Sequence, residues 1–405
     1  MNDPTTGSHN SATKNPAVPF NMEELKTWLT RITPLNGDLA LNRVGNGQSN
    51  LTFLVEDTTG ARCIVRRPPL GKLAASAHNV VREGKIMAAL HDTEVPVPVI
   101  YGSTDELVDH GQSVSDAPVV AMSMVDGVTI SSAEAASPLG LDIRHKIATK
   151  MLDAMIHIHG VNLASTGLDT LASHDPYAPR QLKRWSGQWD KTKTRELPAL
   201  DKLTALLEEH TPEQKETVLV HGDLHVGNVI ANPDDGIINA VIDWELTTLG
   251  DPLADVGTML AYWPVKDGLV LPGFEAPLLD GFPKGEELAE RYLDATGRGR
   301  KALAFWHVLG LWKVAIICEG VVRRVMQNPS NRASGGAPTQ EMVEWIVAEA
   351  QQTAREYGLS QAATLGRERP ASSLSWAPWQ PEPRKSGSPT TPSLSASSRS
   401  RRPYG

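Results

Sequence analysis

Residues 218–256 have the sequence VLVHGDLHVGNVIANPDDGIINAVIDWELTTLGDPLADV. Three polar residues stand out in this stretch: Asp223 in the triplet HGD, Asn228 five positions later, and Asp243 directly after the apolar run AVI. The apolar residues on either side of them are typical of short buried strands. The pattern therefore predicts a polar loop between two strands, with a second carboxylate at the end of the neighbouring strand.

This set of residues is suited to phosphoryl transfer from a nucleotide. Magnesium prefers oxygen ligands and is usually held by one or two side chains together with phosphate oxygens. Asn228 and Asp243 can supply such ligands, and a separate carboxylate, Asp223, can orient an attacking hydroxyl and accept its proton. Simple Asp and Asn turn chemistry is the alternative, but the spacing, the apolar flanks and the chain order together favour the catalytic interpretation.

The N-terminal part of the chain contains a candidate phosphate-binding turn. Residues 44–50, VGNGQSN, lie between two strand-like stretches, so the turn that contains Gly45, Gly47 and Ser49 can offer backbone N–H groups to phosphates. An ordinary hairpin turn is the alternative for this segment taken alone. The sequence has no G-x-x-x-x-G-K-[ST] motif, and a Walker-type nucleoside triphosphatase is therefore not supported.

The motif H-x-D-x-x-x-x-N, formed by His221, Asp223 and Asn228, is followed by IDWE and GDPLAD. This combination resembles the aminoglycoside phosphotransferase and choline kinase group of protein-kinase-like enzymes. The resemblance implies a two-lobed α+β fold, with an antiparallel β N-lobe, a mainly helical C-lobe and ATP between them. It also implies that Asp223 is the catalytic carboxylate and that Asn228 and Asp243 are the magnesium ligands.

The same resemblance implies cofactor-binding roles outside this segment. Arg66 stands at the end of the third strand, where this fold usually has a phosphate-binding lysine, and Glu83 matches the helix glutamate that pairs with that cation. Arginine binds phosphate bidentately, but it is longer and less tunable than lysine. Met122, Ser123 and Val125 match the hinge that binds adenine through backbone groups.

A closer resemblance extends over nearly all of residues 20–360. The runs GNGQSNLTFLV, PYAPRQLKRWSGQW and WKVAIICEGVVRRV are similar to the phosphotransferase domain that is fused to acyl-CoA dehydrogenases in some eukaryotes and stands alone in bacteria. This resemblance implies ATP-dependent phosphorylation of a hydroxyl, with a hydroxyacyl-CoA or a hydroxy acid as the candidate acceptor.

Two alternative functions stay open at this point. The first is a sugar, choline or aminoglycoside kinase, although a cationic acceptor needs a cluster of carboxylates and no clear cluster is visible in the predicted C-lobe. The second is a nucleotide-binding pseudokinase or scaffold, for which the arginine at position 66 is the only support in the sequence.

Composition narrows the class of protein. The chain has 405 residues and a formal net charge of −8, which argues against general binding of nucleic acid. The polar N-terminus has no apolar signal segment, and two distant cysteines make no disulfide framework. We therefore expect a cytoplasmic protein that binds ATP, Mg²⁺ and a small-molecule hydroxyl acceptor, and that has no nucleic-acid or membrane partner.

The domain organisation follows from shifts in composition. We expect a disordered N-terminus over residues 1–18, a nucleotide-binding N-lobe over 19–125, and a C-lobe for catalysis and acceptor binding over 126–360. Residues 366–405 contain seven basic and two acidic residues among many serines and prolines, which predicts a disordered tail. The tail is either inert or an electrostatic tether.

Hydrophobic periodicity predicts the main elements. Apolar residues at helical spacing predict helices at 21–32, 77–90, 141–159, 179–191, 198–209, 286–295, 301–327 and 339–357. Short apolar runs predict strands at 39–44, 51–56, 62–66, 118–124, 217–220 and 237–242. The apolar stretch 308–325 contains four charged residues and therefore predicts a buried helix rather than a membrane span.

Four histidines allow more than one interpretation. His221 is expected to brace the catalytic loop by hydrogen bonding. A zinc pair formed by His221 and His225 is disfavoured because glycines interrupt any helix there and no third ligand is evident. His157 and His159 lie near the end of a predicted helix, where we expect a surface or capping role.

Several other polar and aromatic residues also allow more than one interpretation. Asp251 is expected to brace a loop, and Asp255 to begin a helix. Trp185 and Trp189 share one face of a helix and either floor an acceptor pocket or pack between lobes. Three basic residues on the helix with the tryptophans, Arg180, Lys183 and Arg184, either attract an anionic acceptor such as a CoA phosphate or form a solvated face. Lys313, Glu319 and Arg323 interrupt the later apolar helix, and because buried charges need partners, either a pocket or structural ion pairing is expected there.

Overall fold

The computed structural model of the protein describes residues 20–44, 50–68, 80–104, 114, 117–266, 268, 270–329 and 336–359. All of these residues belong to one compact unit of the chain. The predictions made for the N-terminal segment 1–18, for the tail 366–405 and for Gly45, Gly47 and Ser49 lie outside the described residues.

A five-stranded antiparallel sheet forms the N-terminal part. In chain order its strands are β1 (Leu39–Val44), β2 (Leu51–Asp57), β3 (Arg62–Arg67), β4 (Ile100–Ser103) and β5 (Val120–Ser123). Their order in the sheet is β1-β2-β3-β5-β4. The predicted phosphate-binding turn connects β1 to β2.

The two faces of this sheet pack against different elements, because successive side chains of a strand point to opposite faces. Val65 is fully buried against helix α1 (Met22–Ile32), together with other apolar residues of β2 and β3. Arg66, the next residue, points to the opposite face, where helix α2 (Val80–Leu90) packs. The two-residue period of β3 thus directs Arg66 towards the predicted site.

The C-terminal part is mainly helical. The helices are α3 (Ala133–Ala136), α4 (Leu141–His159), α5 (Leu163–Thr166), α6 (Tyr177–Thr192), α7 (Pro198–Glu209), α8 (Leu253–Tyr262), α9 (Gly285–Thr296), α10 (Arg300–Gln327) and α11 (Gln340–Glu356). Four short strands pair in two antiparallel ribbons, and they are β6 (Val218–Val220), β7 (Val229–Ala231), β8 (Ile238–Val241) and β9 (Thr248–Gly250).

Helices α8 and α10 cross with their backbones in direct contact. A Cβ atom on Gly257 of α8 would lie 2.2 Å from the Trp306 carbonyl oxygen, and one on Gly310 of α10 would lie 2.5 Å from the Gly257 carbonyl oxygen. Only glycine allows this approach. The apolar stretch of α10 is long enough to cross a membrane, but 83% of it is buried inside the protein, as expected for a core helix.

The elements agree with the sequence prediction where the apolar pattern is long. The predicted helix 77–90 is described from Val80 onwards, and the predicted strand 118–124 is limited to four residues of β5. The prediction missed β7 and β9, because a strand of three residues is too short to show a period. It also predicted only that a helix begins at Asp255, whereas the structure has the ten-residue helix α8 there.

Candidate active site

The loop between β6 and β7 presents the residues that the sequence singled out. Gly222 makes the turn that starts it, with φ of +84°, and a Cβ atom there would lie 2.8 Å from the Leu246 carbonyl oxygen. Glycine is therefore required at this position. A single 3₁₀ turn, Val226–Asn228, ends the loop and leads into β7.

Asp223 and Asn228 contact each other within this loop. The Asn228 amide nitrogen donates to the Asp223 carbonyl oxygen at 2.8 Å and lies 3.3 Å from the carboxylate oxygen Oδ2. This orientation turns the amide oxygen of Asn228 away from Asp223. Burial raises the pKa of Asp223 to about 7, Lys313 lowers it, and the charges of Asp243 and Glu245 raise it. The carboxyl can thus exchange a proton near neutral pH.

Asp243 follows β8 directly, and its backbone adopts an unusual conformation. Its φ of 67° and ψ of 60° are left-handed, and it is the only non-glycine residue with positive φ in the described part of the chain. This conformation costs an L-amino acid about 1 kcal/mol or more, and such strain concentrates at functional sites. The strained turn lets the Asp243 carboxylate reach Arg66, whose Nη2 lies 3.3 Å from Oδ1.

The predicted ion pair between Arg66 and Glu83 is present. Arg66 Nη1 lies 2.8 Å from Glu83 Oε2, and the Asn50 amide donates to Glu83 Oε1 at 3.1 Å. Burial raises the pKa of Glu83 to about 7, although Arg66 lowers it. Two buried atoms beside this pair, Arg66 Nε and Asn50 Oδ1, have no hydrogen-bond partner among the described residues. A donor and an acceptor are therefore left for a bound molecule.

The predicted hinge lies at the end of β5. Met122 is buried in the sheet, and the Ser123 amide donates to the Val99 carbonyl at 2.8 Å. Because the Ser123 N–H already has a partner in the protein, it could serve adenine only if that bond broke. The adenine contact expected at Val125 stays a prediction.

His221 braces the catalytic loop, as the sequence predicted. Its Nε2 lies 3.1 Å from the Ile242 carbonyl oxygen, and its ring packs against Trp244 with centroids 4.8 Å apart. Since Ile242 precedes Asp243, this contact fixes the distance between the two parts of the site that carry the two aspartates.

The expectations for His159 and Asp255 were wrong in part. Asp255 lies in the first turn of α8, but it is buried and accepts hydrogen bonds from the backbone N–H groups of His221, at 2.7 Å, and Gly222, at 2.8 Å. His159, expected at the surface or as a cap, is 6% exposed; its Nε2 lies 3.1 Å from Asp255 and its Nδ1 2.7 Å from the Tyr292 hydroxyl. The end of α4 is covered by α8 and α9, which periodicity within α4 does not reveal.

An aromatic wall beside Asp223 was not foreseen. His225 Nε2 lies 4.0 Å from Asp223 Oδ2, and its ring contacts Phe274 and Tyr262 at centroid distances of 4.9 and 5.8 Å. Tyr262 and Phe274 are stacked at 4.5 Å. Burial lowers the pKa of His225 to about 4, so the ring is neutral at pH 7. No group of three or more His, Cys, Asp or Glu side chains that could hold a metal ion occurs in the described residues.

The charged residues on α10 divide into two kinds. Glu319 is fully buried and pairs with Arg195 at 2.8 Å, while Arg323 donates to the Lys191 carbonyl, so both hold helices together. Lys313 instead faces the catalytic loop and donates to the Gly222 carbonyl at 3.1 Å.

The tryptophans of α6 also have different surroundings. Trp189 is buried in the core, whereas Trp185 is half-buried and lies under Lys313, whose Nζ is 5.7 Å from its ring centroid. Arg184 stacks on the same ring at 5.5 Å, Arg180 donates to the Leu249 carbonyl at 2.7 Å, and Lys183 is exposed. Trp185 and Lys313 also line a small cavity of about 10 Å³ between α6, α8 and α10.

Comparison with known proteins gives a family match. Residues 40–306 match the family model described as "Phosphotransferase enzyme family", known by the abbreviation APH. This range includes the predicted catalytic, magnesium and phosphate-binding residues.

Curated relatives match over most of this chain. Acyl-CoA dehydrogenase family member 10 of Mus musculus is 32% identical over 342 residues, which cover 82% of this chain and 31% of the relative. Family member 11 of Mus musculus is 30% identical over 339 residues, which cover 79% of this chain and 42% of the relative. The chain thus spans less than half of the length of these relatives.

Solved structures are similar in fold. A Ralstonia eutropha protein provisionally named an aminoglycoside phosphotransferase is 27% identical, with a TM-score of 0.66, over 82% of this chain and 99% of that one. A thermostable mutant of the aminoglycoside phosphotransferase APH(4)-Ia, bound to AMP-PNP and hygromycin B, is 14% identical with a TM-score of 0.51, over 83% of this chain and 98% of that one. These likenesses confirm the predicted two-lobed, kinase-like fold.

Proposed function

The chain belongs to the phosphotransferase enzyme family, and on this premise we propose that it transfers the γ-phosphoryl group of ATP to a hydroxyl of a small molecule. The best support is the position of Asp243 between two parts of the site. Its carboxylate contacts Arg66 of β3. The residue before it, Ile242, contacts His221, which belongs to the loop that contains Asp223. The nucleotide-binding sheet and the catalytic loop thus meet at one carboxylate.

Asp223 is the proposed general base. It would orient the acceptor hydroxyl and take its proton as the oxygen attacks the γ-phosphorus. Two features support this role: burial raises its pKa to about 7, which allows it to accept and release a proton at neutral pH, and the backbone directly before it is held by buried contacts to Asp255 and Lys313. Most of the rate enhancement in this reaction class comes from positioning and charge neutralisation.

The residues present fit magnesium and a nucleotide. Asp243 and the amide oxygen of Asn228 are the proposed magnesium ligands, and oxygen donors of this kind are those that magnesium prefers. Arg66 would bind phosphate oxygens while Glu83 holds its guanidinium, and the unpartnered Nε of Arg66 supports this assignment. Bound magnesium-ATP supplies the phosphoryl group, and the metal neutralises part of the phosphate charge.

The proposed acceptor is a hydroxyacyl-CoA or a hydroxy acid. Two curated relatives are named as acyl-CoA dehydrogenase family members, which connects this sequence type with acyl-CoA substrates. Next to Asp223, the rings of His225, Tyr262 and Phe274 make an apolar wall suited to an acyl chain. Arg184, which is exposed on α6, favours a negatively charged acceptor over a cationic aminoglycoside or choline.

A coupled assay of ADP release tests the proposal. Purified protein with magnesium-ATP is offered hydroxyacyl-CoAs, free hydroxy acids, sugars, choline and aminoglycosides, and the Asp223→Asn variant is run beside it. We expect ADP release that depends on a hydroxyacyl-CoA or hydroxy acid, disappears with EDTA and is lost in the variant.

The outcomes separate the open alternatives. If ADP is released only with choline, a sugar or an aminoglycoside, the proposed acceptor class is wrong, but the proposed kinase reaction stands. Tight binding of magnesium-ATP without release for any acceptor would favour the pseudokinase. Transfer that is unchanged in the Asp223→Asn variant would remove this residue from its proposed role.

A further inference from the structure

A buried lysine of α10 contacts the catalytic loop from behind. Lys313 is 8% exposed, and its Nζ donates to the Gly222 carbonyl oxygen at 3.1 Å. The negative charges of Asp223 and Asp255 face it, as does the positive charge of Arg184. Removing an ammonium group from water is unfavourable unless compensating partners surround it. A lysine at this depth therefore depends on the acidic loop that it contacts.

The contact is made at the peptide unit that leads into Asp223. This unit consists of the Gly222 carbonyl and the Asp223 N–H. Lys313 holds the carbonyl, and the N–H donates to His221 Nδ1 at 3.3 Å. Because both polar ends of the peptide are engaged, its plane cannot rotate freely, and the direction in which the Asp223 side chain leaves the backbone is fixed.

The neighbouring peptide unit is held by α8. The Gly222 N–H donates to Asp255 Oδ1 at 2.8 Å, so an acidic residue of α8 and a basic residue of α10 contact successive peptide units around Gly222. Gly222 has positive φ, and this turn would otherwise rely on a residue that has no side-chain contacts of its own. The two helices thus provide the rigidity that the glycine lacks.

The close crossing of α8 and α10 sets the reach of Lys313. Gly310 lies one turn before Lys313 on α10, and Gly257 lies two residues after Asp255 on α8. Since these two glycines bring the helix backbones into contact, they also bring the carboxylate and the ammonium to opposite ends of the same turn. A larger residue at either glycine would move both contacts away from the loop.

From this geometry we propose that Lys313 is a positioning residue for Asp223, which it orients by holding the Gly222 carbonyl and by placing a positive charge behind the loop. The proposal rests on the function proposed above for Asp223. It implies that loss of the ammonium slows the transfer step and leaves nucleotide binding unchanged, because Lys313 lies in the C-terminal lobe and makes no contact with Arg66 or Glu83.

The test compares Lys313→Met, which removes the charge and keeps the length, with Lys313→Arg, which keeps the charge. Lys301→Met, an exposed lysine on the same helix, is the matched control. For each protein we would measure kcat with a hydroxyacyl-CoA as the acceptor, the rate of ATP hydrolysis by water, the KM for ATP and the melting temperature. A hydrogen bond from a charged group corresponds to an about 10- to 100-fold change in rate.

We expect Lys313→Met to lower kcat by about 10-fold or more with the KM for ATP unchanged, Lys313→Arg to recover part of the loss, and Lys301→Met to behave as wild type. A Lys313→Met variant with wild-type kcat would overturn the proposal. A loss that Lys313→Arg does not reduce, with an equal change in the KM for ATP, would also overturn it, because that pattern indicates general damage to the fold.

A second variant covers the case in which Lys313→Met fails to fold. In Lys313→Ala, methylammonium added to the assay should raise kcat in a saturable way, whereas sodium chloride at equal ionic strength should not. Absence of this rescue in a folded protein contradicts the proposal. The Asp223→Asn variant in the same series keeps the two hypotheses apart: if it retains full transfer, the proposed base is wrong, and if it alone loses transfer, only the role of Lys313 is wrong.

Discussion

Two cations approach the proposed catalytic carboxylates, one from each part of the molecule, and they are held in different ways. Arg66 comes from a strand and pairs directly with two carboxylates, Glu83 at 2.8 Å and Asp243 at 3.3 Å. Lys313 comes from a helix buried in the core and donates to a backbone carbonyl at 3.1 Å. The contact from the strand can be exchanged for another anion, whereas the contact from the helix is part of the packed interior.

This difference corresponds to the two halves of the proposed reaction. A phosphate group can compete with Asp243 for the guanidinium of Arg66, because the longer of its two ion pairs is also the more exposed. The general base needs a constant direction, and packed helices provide it because they deform little. Four predictions test this distinction, from the largest expected effect to the smallest.

The largest effect is expected at Asp223. Replacing it with asparagine should lower kcat by at least about 100-fold with little change in ATP affinity, because the proton acceptor is lost and the nucleotide contacts remain. Steady-state kinetics and ATP titration would measure the two quantities. In the wild type, kcat/KM should fall as the pH drops below about 7, where the carboxyl becomes protonated.

The same variant should also be more stable than the wild type at pH 8. The folded pKa of Asp223 lies near 7 and above the ordinary value of 3.8, so the folded protein loses stability as the pH rises through 7 and the carboxyl ionises. Asparagine cannot ionise and avoids this loss. Relative to the wild type, the variant should gain more in melting temperature at pH 8 than at pH 5, because only part of the loss between pH 3.8 and 7 has occurred at pH 5. An equal gain at both pH values would contradict the expectation.

The second effect concerns Arg66. We expect Arg66→Met to raise the KM for ATP by about 10-fold or more, since the guanidinium is the proposed phosphate ligand, and Arg66→Lys to recover part of the affinity. Arg66→Met also leaves Glu83 buried without its cation, which costs about 3 kcal/mol.

The double variant Arg66→Met with Glu83→Gln separates these two consequences. The neutral glutamine should restore the melting temperature but not the affinity for ATP. If the double variant regains ATP binding, Arg66 acts on stability alone and the contrast with Lys313 disappears.

The third effect concerns the helix crossing that positions the C-terminal cation. Gly257→Ala places a Cβ atom 2.2 Å from the Trp306 carbonyl oxygen, and overpacking of this kind typically costs about 1–3 kcal/mol. Gly187→Ala on α6 is the matched control, because nothing lies within 4 Å of its added Cβ and alanine favours a helix. Urea unfolding should show a loss for the first variant and none for the second.

The smallest effect is expected at Tyr292, which contacts His159, the partner of Asp255. Tyr292→Phe removes the hydroxyl that lies 2.7 Å from His159 Nδ1, and one neutral hydrogen bond contributes about 1 kcal/mol to stability. We expect a small decrease in the free energy of unfolding and a change in kcat of less than about threefold. A loss of activity comparable with that of Asp223→Asn would show that the network takes a direct part in the reaction.

The amino-acid sequence was sufficient to predict the part of the site that depends on neighbours along the chain. The apolar pattern predicted a polar loop between two strands, and both strands are present as β6 and β8, although β7, which was missed, follows Asn228. This part was accessible because strand patterns are local properties. The pairing of Arg66 with Glu83 was predicted from the resemblance to kinases alone, and it is present.

Apart from His221, the residues that hold this loop in place were not predicted. His159 was expected at the surface, Asp255 only as the beginning of a helix, and Lys313 as one of three equivalent charges. Lys313 and Gly222 are separated by 91 positions, and His159 and Asp255 by 96. Periodicity shows which face of a helix is apolar, but it contains no information about which distant segment covers that face.

The sequence by itself thus indicated the main helices and strands and the spacing of the candidate catalytic residues, because these depend on patterns within a few residues, and its resemblance to a known family indicated the fold class. Only the tertiary structure decided which charged side chains face the catalytic loop and which merely join helices. That choice depends on the approach of α8 to α10 at Gly257 and Gly310, and a contact between two distant glycines leaves no periodic signal in either helix.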